Sequence, residues 1–183
     1  MLDDARIGID IGRVLMAATD AGGRADTSFL QGSDANAMQT PPNDGAFSVI
    51  RELVARTNGN VWLVSKAGPR IQGLTRRWLA HWNVFEKTGL PEAHIRFCLE
   101  RRDKAAHARE LRLSHFIDDR IDVHQHLHGI VPRLYLFGHQ RAGTVVPRWL
   151  THVVTWDEVR GALLRPRSPE IKSATTADPR RIP

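Results

Sequence analysis

Two stretches of this sequence set carboxylates directly behind apolar runs: Ile7-Gly8-Ile9-Asp10-Ile11-Gly12-Arg13 and Phe116-Ile117-Asp118-Asp119-Arg120-Ile121-Asp122. A carboxylate at the end of a buried strand, followed by a turn, projects into a cleft. There it can attack phosphorus or carbon as a nucleophile, or hold a metal ion. Asp10 on its own decides little, because aspartate is common in turns for conformational reasons alone. The Asp118-Asp119 pair is more specific. Two adjacent carboxylates at a buried strand end repel each other, and the repulsion raises a pKa unless a cation compensates. Mg²⁺ suits such a pair, since it takes hard oxygen ligands and is held by one or two carboxylates with water and phosphate. The bland alternative is a solvated acidic turn that Arg120 partly neutralises.

Two more positions carry compatible chemistry. The apolar run Val61-Trp62-Leu63-Val64 ends in Ser65. Its hydroxyl can donate to a phosphoryl oxygen or, alternatively, cap the helix that begins near Gly68-Pro69. Lys104 opens a helical segment ahead of Asp118. An ammonium there can neutralise both a nucleophile and a phosphate, or simply be a solvated lysine beside Arg101 and Arg102. Lys66, directly after Ser65, is a rival for the same task. His124 and His128 stand at i,i+4 and could share a metal. No further ligand completes a tetrahedral set, so a partly exposed helix face is the better reading. Gly22-Gly23 belongs to no phosphate-binding glycine pattern.

These residues need a scaffold. Apolar patterning predicts strands over 6–11, 61–64, 94–99, 115–117 and 134–137, with an edge strand at 153–155. Helices are expected over 46–56, 71–82, 104–111 and 123–128. A last one, capped by Thr155, would contain Val159, Leu163 and Leu164. Asp44 is the expected cap of the first helix, and Trp78, His81 and Trp82 are expected to pack the second against the sheet. Strands alternating with helices predict an α/β protein with a parallel sheet of about five strands. Such sheets bind ligands beyond the carboxyl ends of their strands. Asp10, Ser65 and Asp118-Asp119 all fall there.

In order and type these segments resemble the haloacid dehalogenase superfamily of hydrolases. Asp10 matches the nucleophile motif, Ser65 the serine/threonine motif, Lys104 the basic motif, and Asp118-Asp119 with Asp122 the acidic motif; the likeness runs from about residue 6 to 138. The resemblance implies a Rossmann-like three-layer sandwich with the nucleophile strand at its centre. It also implies phosphomonoester hydrolysis through an aspartyl phosphate on Asp10. Mg²⁺ would be held by Asp10, a backbone carbonyl near Gly12, and Asp118 or Asp119. Ser65 and Lys104 would bind phosphoryl oxygens, and Asp122 would orient its neighbours.

The family's phosphatases usually carry a second aspartate two residues after the nucleophile, and here that position is Gly12. General acid–base catalysis is worth ~10²–10⁴-fold in rate. The same sequence therefore also fits a catalytically weak relative that binds a phosphorylated ligand or partner without turnover. Dehalogenation ranks lower, because the family's dehalogenases need no metal and Asp118-Asp119 call for one. The segment 19–43 is too short for a large cap. It predicts a flap or minimal cap in which Phe29, Leu30 and Met38 either cover the site or anchor the loop.

With 183 residues, 42% hydrophobic and 25% charged, the chain is expected to form one soluble globular domain over 1–164. Residues 165–183 are Pro-, Arg- and Ser-rich and read as a basic, disordered tail, carrying about half of the formal charge of +6. The basic balance favours anionic ligands, a phosphorylated small molecule or a polymer end; nucleic acid is supported by charge alone. No apolar run approaches the ~18 residues of a membrane span. The acidic N-terminus lacks the features of a signal peptide, and Cys98 is the sole cysteine, so a cytoplasmic setting is expected.

Overall fold

The computed structural model describes residues 2–17 and 33–164. Six strands form one parallel sheet: β1 (Ile7–Ile9), β2 (Val61–Lys66), β3 (Ile95–Cys98), β4 (His115–Asp118), β5 (Arg133–Phe137) and β6 (Thr151–Val153). Their spatial order is β3-β2-β1-β4-β5-β6. Every residue of β1 is buried, as expected of a parallel strand covered on both faces. From β1 the chain steps outward to β2 and β3, then returns to β4 on the other side of β1 and continues to β5 and β6. The order reverses between β1 and β4. At such a switch point the connections diverge and leave a crevice at the carboxyl ends of the two strands. The amide of Asp10 donates to the carbonyl of Ile117 at 2.9 Å, which carries the pairing one residue beyond β1, to the mouth of that crevice.

Among the described residues seven α-helices complete the fold: α1 (Asp34–Met38), α2 (Ala46–Arg56), α3 (Pro69–His81), α4 (Val84–Thr88), α5 (Lys104–Glu110), α6 (Ile121–Leu127) and α7 (Trp156–Leu164). Alternation along the strands divides the core. Ile7, Ile9, Val61, Leu63 and Ile117 face α2, α3 and α7, which contribute Val49, Ile50, Leu53, Leu74, Trp78 and Val159. Trp62, Val64, Phe116, Leu134 and Leu136 face Ala105 and Ala108 of α5 and Val123 and Leu127 of α6. Helices on both faces of a parallel sheet make the three-layer α/β sandwich that the sequence predicts. The crossover from β5 to β6 contains no helix; Val146 and Leu150 seal it against the second core.

Several local expectations change. The expected edge strand is the sixth of the sheet, and it lies at Thr151–Val153, earlier than 153–155. Asp44 does not cap α2: the cap is Gly45, at φ 76°, with no side-chain hydrogen bond. Thr155 does cap α7, its hydroxyl accepting from the amide of Glu158 at 3.3 Å. Trp78 is fully buried, whereas His81 is exposed. The indoles of Trp78 and Trp82 donate to the carbonyls of Thr40 and Met38 at 2.8 and 3.2 Å. The segment around Met38 is thus anchored to α3. Phe29, Leu30 and the basic tail lie outside the described residues.

Candidate active site

β1, β2 and β4 deliver their polar residues to the crevice because each is an apolar run that stops there. Asp10 follows β1, Ser65 is the penultimate residue of β2, and Asp118 is the last of β4. All three are buried, Asp118 completely. Lys104, the first residue of α5, is also buried. Its Nζ donates to Asp10 Oδ1 at 2.6 Å and to Asp118 Oδ2 at 2.7 Å, so one ammonium is shared by two carboxylates on adjacent strands. Lys66 is exposed. Of the two candidate lysines, the structure brings Lys104 to the aspartates.

The second oxygen of Asp118, Oδ1, accepts the backbone amide of Arg120 at 3.0 Å. Asp119 Oδ2 lies 3.6 Å from Nε of Arg13, whose side chain is 62% exposed. Asp122 is half exposed and pairs with Arg120 at 3.0 Å and Arg101 at 3.4 Å. Burial works against its charge, but these two guanidiniums hold its carboxyl below the usual range. It reaches Asp118 only through Arg120, so it acts at the rim rather than on the carboxylates themselves. Ser65 does not cap α3, whose N-cap is Gly68. That removes the main rival to a role for its hydroxyl in the crevice.

Asp10, Asp118 and Asp119 can each present a carboxylate oxygen within 4.8 Å of the others. Their charges are not balanced by protein alone. Burial, then the neighbouring Asp118, raise the Asp10 carboxyl, against the pull of Lys104. Burial, followed by Asp118 and Asp10, pushes Asp119 up to about 7. For Lys104 burial acts against the charge, yet two carboxylates outweigh it and hold the ammonium above its ordinary pKa. Three clustered carboxylates facing one buried cation form a hard-oxygen set with charge to spare. A divalent cation such as Mg²⁺ fits that donor set.

The turn after Asp10 is braced by residues with no signal in the local sequence. The side-chain amide of Asn43 donates to the carbonyls of Val14 at 2.7 Å, Met16 at 3.1 Å and Arg13 at 3.3 Å. The indole of Trp156 donates to Val14 as well, at 3.0 Å. Arg13 sits in the left-handed region, φ 63°, where a non-glycine residue is strained and the surroundings must hold it. Only the identity of Asn43 as a small amide next to Asp44 was visible in the sequence, and that pattern fits any turn. His124 departs from its expected exposure: it is fully buried, its Nε2 3.1 Å from the carbonyl of Asp118. His128 is exposed and stacks on Trp149 at 4.2 Å, so the two histidines do not form a metal pair.

No family model and no curated protein matches the chain. Among solved structures it is similar to a haloacid dehalogenase-like family hydrolase from Xanthomonas campestris. The identity is 12% and the TM-score 0.58, over 86% of this chain and 93% of the other. At that identity the likeness speaks for the fold, and it joins the motif order and the sheet topology in a single conclusion: the chain has the haloacid dehalogenase-like fold.

Proposed function

We propose that this protein is a Mg²⁺-dependent phosphomonoester hydrolase that works through Asp10. The observation that carries the reading is the cluster of Asp10, Asp118 and Asp119 at the sheet's switch point, with the buried Lys104 shared between two of them. Asp10, Asp118 or Asp119, and a backbone carbonyl near Gly12 would hold the ion. When bound, Mg²⁺ supplies positive charge that offsets the charge of the transferring phosphoryl group. Asp10 attacks phosphorus with one carboxylate oxygen as the bond from phosphorus to the leaving oxygen breaks. Lys104 keeps Asp10 ionised and aimed, and together with the Ser65 hydroxyl it takes up phosphoryl oxygens. Gly12 offers no acid, so the leaving oxygen draws its proton from solvent. Water then attacks the aspartyl phosphate, which releases inorganic phosphate and restores the Asp10 carboxylate.

The test is phosphate release from a broad panel of phosphate esters with and without Mg²⁺, comparing the wild type with Asp10→Asn. Metal-dependent release that disappears in the variant is expected. Equal background release from both proteins on every ester would overturn the hydrolase and leave a binding protein for phosphorylated ligands in its place.

A further inference from the structure

Because all six strands run parallel, the segments that follow β1 to β5 emerge at one edge of the sheet. Each of them brings a base. Arg13 follows β1, Lys66 closes β2, Arg102 follows β3, Arg120 follows β4 and Arg141 follows β5. Arg13 and Arg120 are paired with Asp119 and Asp122. Lys66, Arg102 and Arg141 are exposed and, among the described residues, have no ion-pair partner. On the β3 side the side chains of Glu100 and Asp103 accept each other's backbone amides and form no ion pair with Arg102. Adjacent strands lie about 4.8 Å apart, so the bases flank the crevice along roughly 20 Å of sheet edge.

A small ester would need only the buried Lys104 and the metal set. A row of unpaired cations on both sides of that point matches a ligand whose negative charge continues away from the reacting phosphate. The exposed large apolar side chains in the segments that carry this row are Leu99, before Arg102, and Val145, after Arg141, with Trp149 further along. The three unpaired cations, spread over strands on both sides of the crevice, offer charge at intervals that suit a repeating anionic backbone. We propose that the preferred substrate is the phosphorylated end of a polynucleotide, its backbone phosphates held by Lys66, Arg102 and Arg141. The inference rests on the phosphoester reading of the same crevice and names its substrate class.

Binding of a fluorescent, terminally phosphorylated oligonucleotide to Asp10→Asn protein, measured by anisotropy over a salt series, tests it without turnover. Neutralising phosphate contacts lowers the slope of log affinity against log salt by about 1 each, so Arg102→Gln with Arg141→Gln should lower it by about 2. Arg109→Gln with Arg112→Gln removes the same charge from exposed positions at the opposite edge, and should leave the slope unchanged. Equal slopes for the two pairs, or tighter binding of an acidic phosphopeptide of matched charge, would overturn the polynucleotide assignment. Small esters hydrolysed alongside equal slopes would remove this inference alone. Rim-dependent oligonucleotide binding with no ester hydrolysed would remove the hydrolase and keep the polyanion surface.

Discussion

Lys104 carries two of the shortest contacts in the site, and its loss isolates two buried carboxylates. Breaking a buried ion pair on one side costs about 3–5 kcal/mol. Lys104→Met should lose stability of that order in urea unfolding, and added Mg²⁺ should restore more stability to the variant than it adds to the wild type. A variant as stable as the wild type would show that the lysine is not the counterion. Gly12 poses the opposite question. A Cβ built there meets only Asp10 Oδ2, at 3.9 Å, so a side chain has room. The proposed mechanism then predicts steep dependence on leaving-group pKa in the wild type, and a gain on alkyl esters of up to ~10²-fold in Gly12→Asp. Rates on alkyl and aryl esters separate the cases. Asp10, Ser65, Asp118 and Asp119 were legible as candidates because polar residues that end apolar runs need no three-dimensional information to be noticed, whereas Lys104, which opens a helix behind other charges, stood out only through the family resemblance. Asn43 and Trp156 were not, since their value lies wholly in which distant carbonyl they meet.

The strands were legible as elements because burial on both faces forces apolar content into short runs. Helix starts and ends were less so. Asp44 looked like a cap, yet the chain turns through Gly45 in the left-handed region and needs no side-chain acceptor. α1 and α4, five residues each, are too short to show a period, and α4 is framed by Asn83 and Gly89, both at positive φ. Gly8 is a further case where the element's need is invisible in sequence. A Cβ at that point of β1 would stand 2.5 Å from Phe116 and 2.7 Å from Leu113. β4 can approach β1 only because nothing projects there. Gly8→Ala should cost about 1–3 kcal/mol by overpacking. It should also lower kcat, since Asp10 lies two residues on; thermal unfolding and steady-state rates on one ester check both. Unchanged stability would mean that Phe116 gives way.

At the scale of the whole molecule, the described residues contain no helix long and apolar enough to cross a membrane. Stability is set by the two cores and by buried titratable groups between the layers. His115 is 5% exposed, with Arg133 Nη1 3.5 Å from its ring. Burial, then Arg133, push its pKa down to about 4 from 6.5. The unfolded chain takes up that proton first, so the stability contributed by neutral His115 is complete above about pH 6.5 and is lost as pH falls towards 4. The full loss is about 3 kcal/mol. Urea midpoints between pH 7 and 4 should fall less in His115→Phe than in the wild type; parallel curves would assign the acid sensitivity elsewhere. The hydrogen bond from Trp156 to Val14 joins residues 142 positions apart, at opposite ends of the described chain. During synthesis Asp10 leaves the ribosome well over a hundred residues ahead of the helix that steadies its turn. A nascent chain therefore carries every motif residue before it can hold them in place, and premature termination between Asp122 and Trp156 yields a complete set of chemical groups without the clamp on their first loop.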